Sequence, residues 1–476
     1  MGKNIYINIL IGILAGFLFT LSPGAILVLG IFVLTIFLVK AHTEKTSSDF
    51  LIKLLIAGFA LRILLAVLNY FLGFYGVYGG SDTQPDAIIY NANAVYISKI
   101  LSGFDYSGVF PKEQFLPEYL QRLCRMFECG LPPYGKYQFG FYVHALAVFY
   151  SWIGYSPVAA KILNSLAGCG SAILVYFLAR MLTGSVRTAK ISSFIAMFFP
   201  SQLYWSVTLL QDSIVNFIFL SYLFSLLAYL KDNKKFALGI AFISCFLLCL
   251  LKTKIVMLFV LCLVIVFLIK SFKAVWSWKF LPRAVLAIVI ISLLVAAVYA
   301  GRPAISVSIQ NKLAAILNAH KAYATSYSST AAYRLYSDVV YSRSAYDVFS
   351  IFNWTIIYAA VKGIAYYFLS PFPWDMPFNH PGLLLFYPQV IFTFACIPFM
   401  LCGALASFRY NSVLTGALAI FLSVMLIPQA VTEGIIGNVV RHRDMFMPFI
   451  IIFAAYGFYI LTLPREDAIK DEGRAA

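Results

Sequence analysis

Long apolar runs, separated by short polar stretches, occupy most of the chain. A transmembrane helix needs about 20 predominantly apolar residues, so each run is a candidate membrane span. The candidates lie near residues 5–20, 23–40, 51–72, 157–180, 189–207, 212–230, 236–251, 255–271, 283–300, 384–407, 412–430 and 445–463. The pattern therefore predicts an all-α polytopic membrane protein with about 12 (11–13) transmembrane helices.

Two long polar segments, 73–156 and 301–383, interrupt the series of spans. Each contains a half-apolar piece, 139–152 in the first segment and 351–369 in the second. The second piece carries Lys362 near its middle. For both pieces an amphipathic helix in the membrane interface is a better interpretation than a span. If 351–369 did cross the membrane, the sidedness of everything after it would invert.

The same pattern divides the chain into four regions. An N-terminal transmembrane hairpin covers 1–50, and a transmembrane core that includes the first polar loop covers 51–300. The second polar loop with its interfacial helix covers 301–383. C-terminal transmembrane helices and a short cytoplasmic tail cover 384–476.

Composition and charge agree with a membrane protein. Hydrophobic residues make up 62% of the chain and charged residues only 11%, against about 25% in soluble domains. The net charge is +16, and the lysines and arginines cluster between apolar runs, as in cytoplasmic loops. Both long polar segments then face outward, where Cys124 and Cys129 either form a local disulfide or stay free. No basic stretch is long enough for a nucleic-acid groove, so nucleic acid is excluded as a partner.

A polar stretch at the membrane edge, 79–94, provides the first candidate site. Pro85 suits the first turn of a helix. From there Asp86, Tyr90 and Ala94 fall at i, i+4 and i+8, on one helix face. An acid and a phenol would thus point the same way just outside the membrane. The alternative is that Asp86 only complements the dipole at the start of its helix.

Further charged groups are predicted on the same side of the membrane. They are Asp82, Asp212 between spans five and six, Lys252 and Lys254 between spans seven and eight, and Glu433, Arg441, His442 and Arg443 before the last span. Carboxylates together with cations suit a reaction that needs a base and releases an anion. Structural alternatives exist, because Asp212 could be the N-cap of its helix and the two arginines could anchor lipid headgroups.

Arg62 lies deep in the third predicted span. An ionisable residue within a membrane helix is a functional-site hypothesis by default. The alternative is that Arg62 pairs with a neighbouring polar group and only holds the helices together.

Four short motifs follow one another along residues 51–463. An Arg-bearing span precedes Asp-Ala-x-x-Tyr-x-x-x-Ala (86–94), and a Phe-Pro-Ser…Trp-Ser…Gln-Asp turn (199–212) comes next. A basic turn (252–254) and a Gly-Asn-x-x-Arg-x-Arg turn (437–443) complete the series. In this order and spacing the chain resembles the GT-C glycosyltransferases, membrane enzymes that take sugars from polyprenyl-phosphate donors. The bacterial branch related to protein O-mannosyltransferases and lipid A aminoarabinose transferases is the most similar.

The resemblance implies an inverting sugar transfer with a carboxylate as general base. Asp86 would take the proton of the acceptor hydroxyl, and Arg441 and Arg443 would receive the leaving phosphate. Ala87 stands where the family often has a second acid, so Asp82 is a rival for the base. The other implied substrate-binding residues are Tyr90, Asp212, Lys252, Lys254, Glu433 and His442.

The resemblance also implies the partners and the location. The donor would be a polyprenyl-phosphate-linked sugar, the acceptor a glycan, a lipid or a protein, and membrane lipids would surround the helices. The site would face outward from a bacterial cytoplasmic membrane. No cofactor is required, and a divalent cation beside Asp82 and Asp86 is compatible with the carboxylates without being demanded by them.

Two other functions fit the same pattern. A polymerase or ligase of lipid-linked polysaccharide is supported by Arg302, His320, Arg334 and Arg343 in the second outer segment. The other candidate is a transporter or flippase of lipid-linked sugars. Transporters place polar groups at the bilayer centre, whereas the spans here carry few charges at mid-depth and show no obvious internal repeat.

Overall fold

The computed structural model describes residues 24–72, 84–103, 140–252, 256–273, 354–370, 372, 386–432 and 436–462, together with Gly12 and Gly16. Several sequence predictions lie outside these residues. They are the spans near 5–20 and 283–300, most of both polar loops, the pair Cys124 and Cys129, and the C-terminal tail.

Within the described ranges the chain forms helices and no strand. The helices are α1 (Ala25–His42), α2 (Lys45–Leu72), α3 (Gln84–Leu101), α4 (Phe141–Ile153), α5 (Pro157–Thr183), α6 (Val186–Phe198), α7 (Pro200–Ser206), α8 (Asp212–Asp232), α9 (Lys235–Leu251), α10 (Val256–Lys273), α11 (Trp354–Leu369), α12 (Phe386–Tyr410), α13 (Ser412–Thr432), α14 (Ile436–Arg443) and α15 (Met447–Thr462). The predicted all-α fold is thereby confirmed.

Among the described residues, six helices are long and apolar enough to cross a membrane, by length and composition: α1, α2, α5, α8, α12 and α13. The shorter apolar helices α4, α9 and α15 have between 10 and 17 residues. Six long apolar helices are typical of a membrane protein. The count of about twelve spans stays a prediction.

The predicted span 189–207 is two helices rather than one. Helix α6 ends at Phe198, and Phe199 is extended with φ −65° and ψ 124°. Proline disfavours helical backbone in the residue before it, whereas proline itself fits the first turn of the next helix. Pro200 therefore ends α6 and begins α7.

Helices α5 and α8 form the centre of the bundle. In each, 72% of the most apolar stretch is buried inside the protein, compared with 17% for α1 and 28% for α12. The two helices run side by side in the same direction, since Asn164 near the start of α5 bonds to the carbonyl of Leu210 just before α8. Charged groups lie at both ends of this pair of helices. The end where α5 and α8 begin is called the Asp212 end, and the end where they finish is called the Arg180 end.

Arg62 joins α2 to this centre. Its Nε donates to Ser206 Oγ over 3.0 Å, and its Nη1 donates to the Gly58 carbonyl and to Met197 Sδ. The side chain is fully buried, and no carboxylate among the described residues forms an ion pair with it. These bonds support the structural alternative for Arg62, a tie between helices.

Helices α12 and α15 touch through their backbones. A side-chain Cβ at Gly403 would collide with the Phe453 carbonyl, and one at Gly457 would collide with the Phe399 carbonyl. Small residues of this kind allow membrane helices to approach closely. The contact fixes α15, and with it the turn that leads out of α14, against α12.

Candidate charged site at the Asp212 end

Arg441 lies between two carboxylates at the Asp212 end. Its Nε donates to Asp212 Oδ2 over 2.6 Å, and its Nη1 donates to Asp86 Oδ2 over 3.1 Å. The Arg441 and Asp212 side chains are 7% and 5% exposed, whereas that of Asp86 is 31% exposed. One carboxylate is thus sealed inside the protein, and the other is open to an incoming group.

Helix ends bring these charges together. Asp86 is in the first turn of α3, and Asp212 is the first residue of α8. Arg441 lies in the last turn of α14. Carboxylates are favourable at helix N-termini and cations at C-termini, so each group suits its own helix. The N-cap of α8 is Gln211 without a side-chain cap bond, so the alternative that Asp212 is the N-cap is wrong.

Three further predicted residues lie beside Arg441 or its partner Asp212. Lys252 Nζ lies 3.9 Å from Asp212 Oδ1. His442 is close enough to Asp212 to interact with it electrostatically, and Tyr90 acts on Arg441 in the same way. The Tyr90 ring packs edge-on against Tyr142, with 5.7 Å between ring centroids.

The charge of Arg441 is fixed by its surroundings. Burial alone would lower its pKa, but the carboxylates of Asp212 and Asp86 outweigh burial and raise the pKa above its ordinary value. Arg441 is therefore a permanent cation held between a buried and a half-exposed carboxylate.

Arg443 points away from the carboxylates. Its Nη1 donates to the carbonyls of Phe368 and Ser370, over 2.8 and 2.6 Å, and burial lowers its pKa. Residues two apart on a helix do not face the same way, so Arg441 and Arg443 have different neighbours. Arg443 ties α14 to the end of α11.

The structure brings together part of the predicted site. The residues that meet are Asp86, Tyr90, Asp212, Lys252, Arg441 and His442. Asp82, Lys254 and Glu433 lie outside the described residues. Within the described ranges, no group of three His, Cys, Asp or Glu side chains could hold a metal ion.

A second polar cluster beside the site was missed by the sequence analysis. Asp444 Oδ1 accepts from Ser201 Oγ over 2.7 Å, and the Ser201 backbone N–H donates to Gln389 Oε1. Asp444 is fully buried, and burial raises its pKa to about 7. The available signal was position, since Ser201 is the serine of the Phe-Pro-Ser motif and Asp444 directly follows the Gly-Asn-x-x-Arg-x-Arg motif.

Asn164 was also missed, because it looks like an ordinary residue within a span. Its Nδ2 lies within 3.1 Å of Tyr142 Oη and of the carbonyls of Thr208 and Leu210. Its own carbonyl accepts from Ser213 Oγ. These bonds hold the segment that leads into α8 and so help to fix Asp212.

Comparisons of the chain with protein-family models, with curated proteins and with solved structures found no match.

Proposed function

We propose that the protein is a membrane glycosyltransferase of the GT-C type, which moves a sugar from a polyprenyl-phosphate donor to an acceptor hydroxyl. The observation that supports it best is the group of Asp86, Arg441, Asp212 and Lys252 at one end of an apolar helix bundle. A half-exposed carboxylate next to a buried arginine and a partly buried lysine provides a base and an anion receptor in one place.

In the proposed reaction, Asp86 accepts the proton of the acceptor hydroxyl. The acceptor oxygen forms a bond to the anomeric carbon of the sugar as the bond from that carbon to the phosphate oxygen breaks. The electron pair leaves with the lipid phosphate, and a single displacement inverts the anomeric centre. Asp82 lies outside the described residues and therefore remains the alternative candidate for the base.

Arg441 and Lys252 would stabilise the leaving phosphate. A guanidinium carries five N–H donors, and the bonds to Asp212 and Asp86 use two of them. Lys252 Nζ lies 3.9 Å from Asp212 Oδ1, and its side chain is 18% exposed. Arg443 is left out of this step because its guanidinium binds backbone carbonyls at α11.

Asp212 would act as a positioning residue in this scheme. It is buried and bonds Arg441 over 2.6 Å, so it holds the guanidinium in one orientation for both Asp86 and the phosphate. Such fixed geometry lowers the reorganisation needed during the reaction.

The lipid tail of the donor would lie against the apolar helices, with the phosphate at the Asp212 end. Basic residues at the Arg180 end, such as Arg180, Arg187 and Lys190, favour that end as the cytoplasmic one. The proposed site would then face outward from a bacterial cytoplasmic membrane.

Incubation of the purified full chain with a panel of radiolabelled polyprenyl-phosphate sugars and membrane-extract acceptors tests the proposal. We expect label to move to an acceptor in the wild type and in Asp232→Asn, and transfer to be lost in Asp86→Asn. Asp232 is a matched control, because it is the last residue of α8 and pairs with Lys234 at the Arg180 end. Movement of intact donor across vesicles without transfer would instead identify a flippase.

A further inference from the structure

A small cavity begins within one turn of Asp212 and extends into the bundle. Ser213, Asn216 and Leu220 line it from α8, one, four and eight residues after Asp212. Gln202 and Trp205 line it from α7. Its volume of about 10 Å³ is close to what one water-sized group requires.

Two amide side chains in this cavity lack partners. Gln202 and Asn216 are 9% and 7% exposed, and neither side chain has a hydrogen-bonding partner among the described residues. Neither side chain contributes a fully buried, unsatisfied polar atom, so the amide groups remain accessible from the cavity. Accessible amide donors and acceptors at one cavity indicate that the cavity receives a polar group.

The lining selects for a neutral group that both donates and accepts. Each amide offers two N–H donors and one carbonyl oxygen, and no charged side chain lines the cavity within the described part of the chain. A hydroxyl matches this set. On a hexose, the hydroxymethyl oxygen projects furthest from the ring, so it can enter a space of this size while the ring stays outside.

We propose that the cavity binds the hydroxymethyl group of a hexose, held between Gln202 and Asn216, while the ring lies beside Asp86 and Arg441. This inference rests on the proposed function and names the sugar class that the site takes. The stretch of α8 from Asp212 to Asn216 is just over one helical turn, about 6 Å, which suits one sugar ring.

Isosteric apolar variants, Gln202→Met and Asn216→Leu, test the amides. Without ligand, we expect Tm to stay close to or exceed that of the wild type, because neither variant breaks a hydrogen bond among the described residues. Asn164→Leu is the matched control, since Asn164 Nδ2 lies within 3.1 Å of three acceptors and its loss should lower Tm. A lowered Tm in Gln202→Met and Asn216→Leu would show that both amides are already bonded, and would overturn the proposal.

Binding is measured by thermal shift of the full chain in nanodiscs. The probes are D-glucose, D-mannose and D-galactose, each compared with its 6-deoxy form. The paired sugars cancel the general stabilisation that concentrated polyols give any protein. We expect at least one hexose to raise Tm more than its 6-deoxy partner, and the difference to vanish in Asn216→Leu. Equal shifts for all three pairs in the wild type would refute the pocket.

This readout separates the two proposals. A hexose-specific shift without sugar transfer from any polyprenyl-phosphate donor would retain the pocket and refute the glycosyltransferase. Transfer without a hexose-specific shift would do the reverse. If the protein is both a glycosyltransferase and a hexose binder, Gln202→Met and Asn216→Leu should each raise KM for a hexose donor about tenfold. We expect kcat to stay nearly unchanged, because each variant loses one hydrogen bond to the bound sugar.

Discussion

Two ion pairs of equal length occupy the two ends of the bundle. Arg441 and Asp212 at one end, and Arg180 and Glu44 at the other, are each joined over 2.6 Å. Their surroundings differ, because the first pair is 7% and 5% exposed and the second is 37% and 63% exposed. The contribution of an ion pair to stability is therefore decided by burial and by additional partners, and not by the distance between the two charges.

The buried arginine also has a second carboxylate, Asp86, and the exposed one has no comparable arrangement among the described residues. A surface pair contributes about 0–1 kcal/mol, and salt screens it. Removing one member of a buried pair costs about 3–5 kcal/mol, because an uncompensated charge remains inside the protein. The comparison predicts unequal consequences for like substitutions at the two ends.

The largest effect on stability is expected from Arg441→Met. Asp212 would lose its closest cation while buried, so we expect unfolding free energy to fall by about 3–5 kcal/mol. Thermal unfolding in detergent, with membrane abundance measured alongside, gives the result. Arg180→Met is the matched control and should change stability by less than about 1 kcal/mol. Equal losses in both variants would remove the distinction between the ends.

If Arg441→Met does not fold, Arg441→Lys separates charge from geometry. Lysine keeps the positive charge but lacks the planar fork that spans Asp86 and Asp212. We expect a folded protein whose sugar transfer falls by about one to two decades, or 1.4–3 kcal/mol in activation free energy. Transfer at the wild-type rate would reduce Arg441 to a structural cation.

Asp86→Asn is expected to change activity and not stability. Asparagine keeps the volume and can accept from Arg441, but it cannot take a proton. General-base catalysis contributes about 10²–10⁴-fold, so transfer should fall by that factor while Tm stays close to the wild type. Both Asp86→Asn and Asp82→Asn belong in one assay. A far greater loss in Asp82→Asn would make Asp82 the base.

The pH dependence of stability adds a third buried charge to the comparison. Burial raises the pKa of Asp444 to about 7, above the range of an unfolded aspartate. Between the two pKa values the folded state holds the proton that the unfolded state has lost. Stability should therefore fall as pH rises toward 7, by up to about 1.4 kcal/mol per pH unit. Tm of the wild type and Asp444→Asn, measured from pH 5 to 8, should converge at the acid end and separate at the alkaline end.

The smallest effect is expected from Glu44→Gln. It removes the partner of Arg180 at an exposed site, so we expect a change of about 0–1 kcal/mol that disappears in high salt. Thermal unfolding at low and high ionic strength measures it. A large loss that persists in high salt would mean that the exposed pair carries as much weight as the buried one.

Local patterns in the sequence predicted the local features well. The spacing of Asp86, Tyr90 and Ala94 gave one helix face, and that face is buried in α3 except for the carboxylate. Apolar runs gave most of the described long helices. The helix break at Pro200 could also be predicted from the conformational effect of proline, although the length of the apolar run alone indicated one continuous span.

Contacts between distant residues were beyond these patterns. Arg441 meets residues 229 and 355 positions earlier in the chain, and only the order of motifs suggested that they belong together. Arg441 and Arg443 were assigned one role because they are close in sequence, whereas helix geometry turns them to different neighbours. Gln202, inside the 199–212 motif, and Asn216, inside an apolar run, were assigned no role, because sequence position does not show that two polar side chains line one cavity.

The glycine contact between α12 and α15 has a consequence for how variation in this protein would be interpreted. Gly457 lies ten residues into α15, about 15 Å along the helix from its start and the Arg441 turn. A single methyl group there would force the two backbones apart and tilt α15. Because α14 leads directly into α15, the tilt would displace the Arg441 guanidinium from its carboxylates. Such a variant would resemble a defect in the chemistry although it touches no reacting atom.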